Sequence, residues 1–155
     1  MSGSLQDFAV RAWTAPGVAD DAIDLQDGCG QNAPLLLWAA WCARTGRTPD
    51  AETLEAACDT ARAWEGAAVR PLRAVRRTLK AAIPDLEDAA REAVRGRVKA
   101  VELEAELHLL AALEALSPPP GPPRPVGPAL IAAARAWDAT VPRAGLERLA
   151  AKLPA

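Results

Sequence analysis

Five cations, Arg70, Arg73, Arg76, Arg77 and Lys80, recur at short spacings along A-A-V-R-P-L-R-A-V-R-R-T-L-K, residues 67–80. At about 100° per residue they fall on one arc of a helix, beside an apolar arc of Val69, Leu72, Val75, Leu79 and Ile83. Guanidinium forks on one edge suit carboxylate and phosphate, so the chemistry on offer is the holding of an anion: a phosphorylated small molecule or an acidic protein surface. A second charged row follows on residues 91–110, where Arg91, Arg95, Lys99, Glu102 and Glu106 recur at spacings of three and four and can pair along one helix. The plainer reading of the arginine edge is internal. It meets Glu102, Glu104 or Glu106 of the next helix, or the acidic first third of the chain, and acts as glue.

Other candidate groups carry less. Asp20, Asp21 and Asp24 have a spacing by which helices present carboxylates to a hard cation and a diphosphate, but no second acidic motif answers them, so they read as a solvated face. His108 is the single histidine and has Glu104 four residues before it; one imidazole can act as general base or metal ligand, and can equally be a helix-face residue bonded to a neighbouring acid. Cys29, Cys42 and Cys58 make no C-x-x-C pair, which points away from a disulfide framework or a zinc site and toward a reducing, cytoplasmic setting. Trp38, Trp41 and Cys42 share one helical face, and tryptophan there supplies the bulk that an alanine-rich core lacks.

These residues need helices to carry them. Half the chain is apolar, mainly alanine, with five Trp, one Phe and no Tyr, a composition that favours close-packed helices over strands. A chain of 155 residues fits one domain, spanning 1–155, that buries roughly two-thirds of its unfolded surface. The net charge of −2 is unevenly spread: residues 1–66 carry −6, residues 67–99 carry +5 and the remainder −1. A near-neutral total with pI about 5.5 argues against a nucleic-acid binder. The N-terminus lacks a signal-peptide pattern, and the apolar run from Ala33 to Ala43 is too short to span a bilayer.

In order, Ser4 with Asp7 caps a first helix ending near Thr14, and a second carries Val18, Ala22 and Leu25 inward until Gly28 and Gly30 stop it. Asn32 and Pro34 open a third, apolar nearly all round. A fourth, opened by Thr48 and Pro49, turns Leu54, Cys58 and Ala61 inward, and Gly66 with Pro71 predict a break or kink between Trp64 and Pro71. Pro84 separates the basic helix from a long one over 86–116 with two apolar stripes, one of Val94, Val98, Val101, Ala105, Leu109, Ala112 and Leu116 and one of Leu103, Leu107 and Leu110. Seven prolines in residues 117–128 predict a non-helical, semi-extended surface strap, before a last helical region and a short tail helix.

The set F-A-x-x-x-W-x-x-P-G-V from Phe8, L-Q-D from Leu25, L-L-L-W-x-x-W from Leu35, W-x-x-x-x-V-R-P-L-R-A-V-R-R-x-L-K from Trp64 and E-L-x-A-E from Glu102 resembles a family of short, uncharacterised proteobacterial proteins defined only as a domain of unknown function. The resemblance covers roughly residues 5–115 and implies a compact cytosolic helical protein, with no catalytic residue, cofactor or substrate to carry over. Asp20, Asp21 and Asp24 depart from the apolar second helix of that family. The expectation is therefore an all-α bundle of six or seven helices with the third and fifth central. Its function reads as non-enzymatic interaction or regulation, with Arg70, Arg73, Arg76, Arg77, Lys80, Lys99, Glu102 and Glu106 binding a protein partner or a second copy. The alternative is a small helical enzyme or ligand-binding domain for an anionic small molecule. No metal, cofactor, membrane or nucleic-acid partner is expected.

Overall fold

The computed structural model describes residues 3–155, and among them every regular element is helical. In chain order these are α1 (Leu5–Thr14), α2 (Val18–Cys29), α3 (Ala33–Arg44), α4 (Ala51–Trp64), a π-helical turn (Glu65–Val69), α5 (Arg70–Thr78), α6 (Asp88–Leu116), α7 (Val126–Trp137) and α8 (Arg143–Lys152). The run from Ala51 to Thr78 is continuous, so seven separate rods pack together. No helix among the described residues is long and apolar enough to cross a membrane.

Local chemistry accounts for most boundaries. Ser4 accepts from the Asp7 N–H at 3.1 Å, and Asn32 accepts from the Leu35 N–H at 2.9 Å, each satisfying a first-turn donor that has no partner within its helix. Asp50, rather than Thr48, caps α4 through the Thr53 N–H. Gly28 lies inside α2; the helix ends one step later because Gly30 takes the left-handed conformation with φ 69°. Glu114 of α6 reaches the Leu5 N–H at 2.5 Å and so pins the start of α1 to the long helix.

α3 is the centre. It packs against α1, α2, α4, α6 and α7, and ten of its twelve residues are buried, including Leu35, Leu36, Trp38 and Trp41. Each fully buried leucine stabilises by about 2 kcal/mol of removed apolar surface, which explains why a helix without a polar face settles in the middle. Trp38 also satisfies its indole, donating to the Ser117 hydroxyl at 2.8 Å. The long helix is central only over its second half: Ala105, Leu109, Leu110 and Leu113 are buried, whereas Val94, Val101 and Leu103 are about half exposed. The first apolar stripe is therefore covered at Ala105 and Leu109 but left exposed at Val94 and Val101.

Two expectations are corrected in part. The irregularity expected between Trp64 and Pro71 is there, but as a π turn within a continuous helix rather than a break. One wide π turn absorbs Gly66, and Arg70 N–H bonds back to Glu65 O, so Pro71 falls in the first turn of α5 where its missing donor matters little. Residues 126–128 are helical rather than part of the proline segment, because Pro128 likewise sits in a first turn. The irregular stretch 117–125 bonds to the end of α3: Gly121 N–H to Thr45 O at 3.1 Å, Arg124 N–H to Ala43 O at 2.8 Å, and Arg47 Nη1 to Pro118 O at 2.9 Å.

Gly46, with φ 68°, lies so close that a Cβ there would stand 1.9 Å from Gly121 O. Gly30 has nearly the same φ and open space. Gly30→Ala should cost about 1–2 kcal/mol, the left-handed penalty alone. Gly46→Ala should lose at least about 2 kcal/mol more in chemical denaturation, because displaced backbone is added to the same strain. Equal losses would show that the 117–125 segment is not seated on α3.

Candidate functional site

The arginine edge divides in two. Its inner half is built by the α5–α6 hairpin: Arg76 Nε lies 2.6 Å from Glu102 Oε2, Arg73 Nε 3.2 Å from Glu102 Oε1, and Arg73 Nη2 3.7 Å from Glu106. The side chain of Glu102 is 8 % exposed and that of Arg73 12 %, so this is a largely desolvated triad. With its amide oxygen turned toward Arg73, Gln26 of α2 accepts from both terminal guanidinium nitrogens at 3.1 Å. One side chain thereby ties three helices. Burial alone would push the Glu102 carboxyl up, but hydrogen bonds and charge from Arg76 and then Arg73 prevail and hold it below the usual glutamate range. For Glu106 burial prevails over the more distant Arg73, and its carboxyl is pushed up.

The hairpin has a second tie. Arg91, buried on α6, donates to the Leu79 and Lys80 carbonyls at 2.6 and 3.3 Å, satisfying the open end of α5 with a cation where the helix dipole favours one. α5 itself contributes no buried residue. Leu72 is half-buried and the helix continues α4 through the buried Val69, so the polar contacts add to those constraints in fixing α5 against α6.

The outer half of the edge turns the other way. Arg70 and Arg77, 71 % and 57 % exposed, line an open cleft of about 770 Å³ between the end of α2, the π turn with α5, and the end of α7. Arg62 joins them from α4, its guanidinium 4.8 Å from the centre of the Trp137 ring and its Nη2 donating to Trp137 O at 2.7 Å. Arg70 Nη2 pairs with Glu65 at 3.0 Å and Arg77 Nη2 with Asp27 at 3.2 Å. Each of these two guanidiniums is thus held by one nitrogen, and its other donors are uncommitted among the described residues. Asp138 also lines the cleft, so four guanidiniums, counting Arg73, face three carboxylates. The arrangement favours a small, multiply accepting anion held by several forks over a long polyanion drawn by net charge.

Of the residues singled out in the sequence, Arg73, Arg76, Glu102 and Glu106 come together, and Arg70 and Arg77 share the cleft. Lys80 and Lys99 are exposed and form no ion pair among the described residues. Pairing along α6 is confined to Arg91 with Asp88 and Glu92; Glu102 and Glu106 pair across to α5 instead. His108 stacks on Trp64 with ring centroids 5.9 Å apart and planes 9° from parallel. Asp21 is not part of a solvated face: it is 8 % exposed and accepts from Lys152 at 2.7 Å. Cys42 and Cys58 are buried core residues, and burial pushes the Cys42 thiol up to about 12. Reading by helical period missed Arg62 on α4, Gln31 in the α2–α3 linker and Trp137 at the end of α7.

Because the two glutamates are shifted in opposite directions, their removal should have opposite effects. Glu102→Gln should destabilise at pH 7 by about 3 kcal/mol, the low end of what breaking a buried pair costs. That loss should shrink as pH falls below the usual glutamate range and through the lowered folded value, where the parent's own contribution is lost. Glu106→Gln should be neutral or stabilising at pH 7, since the raised carboxyl contributes most below the usual glutamate range and loses that contribution as pH rises through its folded value. Denaturant titrations of both variants at pH 7 and pH 4 check this.

No curated protein and no solved structure matches the chain. A family model does, over residues 4–113, and it takes in the α5–α6 triad and, apart from Trp137 and Asp138 of the α7 end, the cleft lining. The chain belongs to the family described as "Protein of unknown function (DUF2390)".

Proposed function

We propose that this chain is a non-enzymatic binding protein that holds an anionic small molecule in the cleft, with Arg70 and Arg77 as the clamp and the Arg73–Arg76–Glu102 triad as the support that places them. One observation carries this reading: Arg62, Arg70 and Arg77, from two parts of a continuous helix, converge on a cleft of about 770 Å³, within the size range of small-molecule sites. Glu65 and Asp27 hold the two clamp guanidiniums in place before a ligand arrives, which lowers the ordering cost of binding. The cleft residues supply charge and hydrogen bonds rather than an activated nucleophile or a paired acid and base, which is why binding is preferred to catalysis. A cytoplasmic setting fits the unpaired cysteines.

The test uses inorganic phosphate and pyrophosphate as probes. Millimolar pyrophosphate should raise the parent Tm by a few degrees through linkage. The double variant Arg70→Gln with Arg77→Gln should keep its unliganded Tm within about 8 °C of the parent's, because exposed ion pairs contribute only about 0–1 kcal/mol each, and should lose the stabilisation. Equal stabilisation of parent and variant, or none of the parent, sinks the reading.

A partner reading has its own support on the far side of α6. Ala90, Val94, Arg97, Val101 and Glu104 are exposed and share one helical face. Two copies laid antiparallel would cover both valines and set Arg97 of each opposite Glu104 of the other, so the self-complementary occupant is a second copy of this chain. In sedimentation velocity, Arg97→Glu should dissociate such a dimer at least tenfold more readily, and the swap Arg97→Glu with Glu104→Arg should restore it. A monomeric parent at about 100 µM would remove this second reading.

A further inference from the structure

The cleft also contains a group that the arginines do not explain. Gln31 lines it, is 1 % exposed, and has no hydrogen-bond partner at either Oε1 or Nε2 among the described residues. A buried amide left unpaired at both ends works against folding, since each unsatisfied polar group carries a desolvation penalty. Its position is tightly set. The Gln31 N–H bonds to Leu25 O at 3.0 Å, the preceding Gly30 is left-handed, the following Asn32 caps α3, and the Trp137 indole donates to Gly30 O at 2.7 Å. Two helix ends and a tryptophan thus fix the backbone of this residue, and only its side-chain torsions are left to turn the amide toward the cleft.

An amide offers a donor and an acceptor side by side, and its complement is a group that offers an acceptor and a donor in the same way: a primary carboxamide or the edge of a nucleobase. Across the cleft stand guanidiniums that suit an anion. The wall between them is the π turn, a feature common at functional sites, where Gly66 leaves open space: a Cβ there would meet nothing within 4 Å. Resting on the reading that the cleft takes anions, we propose that its ligand is bipolar, with its anionic group on Arg70 and Arg77 and an amide-type donor–acceptor edge on Gln31. Nucleoside monophosphates and carboxamide-bearing carboxylates share this chemistry, and the probes below separate them.

The experiment is calorimetric titration of the parent and of Gln31→Leu with pyrophosphate, uridine monophosphate, adenosine monophosphate and N-acetylglutamine, with Gln31→Met as a second variant should the first fold poorly. One of the amide-edged probes should bind the parent at least about tenfold tighter than pyrophosphate, and which one does so identifies the source. Gln31→Leu should erase that advantage, leave pyrophosphate binding unchanged, and have an unliganded Tm equal to or above the parent's, a combination that a merely structural glutamine would not produce. If pyrophosphate binds and no amide-edged probe exceeds it, or if the advantage survives Gln31→Leu, the bipolar ligand is overturned while the anion site stands. If nothing binds, both fall together.

Discussion

The contact on which the rest of the site depends is that of Glu102 with Arg73 and Arg76. α5 continues α4 through the buried Val69, and its own apolar contribution is limited to a half-buried Leu72, so apolar burial accounts for only part of its position. What fixes the rest is a carboxylate 8 % exposed, satisfied by two guanidiniums, with Gln26 drawing the same arginine toward α2 and Arg91 closing the far end. Such a network is costly to break and only modestly favourable to make, because the desolvation of three charges offsets much of their attraction. Its directional bonds therefore serve position more than stability. The apolar work is done elsewhere, by α3 and the second half of α6.

Position matters because the same helix serves two sides. Arg73 and Arg76 pair with α6, whereas Arg70, three residues before Arg73, and Arg77, directly after Arg76, face the cleft. With α5 held on its inner side by buried ion pairs, the outer guanidiniums are presented at a fixed height above the α2 and α7 ends. The π turn contributes to this arrangement. By widening one turn it lets Pro71 enter a helix start without a break, and it places Glu65 where its carboxylate, 12 % exposed, steadies Arg70. The cleft thus combines guanidiniums paired with Glu65 and Asp27 with a buried amide at Gln31 that has no partner among the described residues.

Much of this was legible in residue order. Helical class, the central α3, the caps at Ser4 and Asn32, the buried cysteines and the meeting of the arginine edge with Glu102 and Glu106 all follow from period, capping and charge placement. The family resemblance rested on motifs between Phe8 and Glu106, which lie inside the matched span of 4–113. The π turn was not legible, since Gly66 and Pro71 are equally consistent with a break, and the choice depends on whether α5 finds partners in line with α4. Exposure of Val94 and Val101 was also hidden: an apolar stripe shows that a face wants cover, but nothing in it shows that cover is present.

What residue order determined by itself is therefore local: which segments are helical, where they start, and which face of each is greasy or charged, because these depend on neighbours within one or two turns. Which arginines turn inward and which outward, and that Arg62, Gln31 and Trp137 join them around one cleft, only the tertiary structure decided. Gln31 and Trp137 lie outside the α4–α5 rod, and Arg62 meets the edge only because the π turn continues that rod, so no periodicity along the chain encodes their meeting.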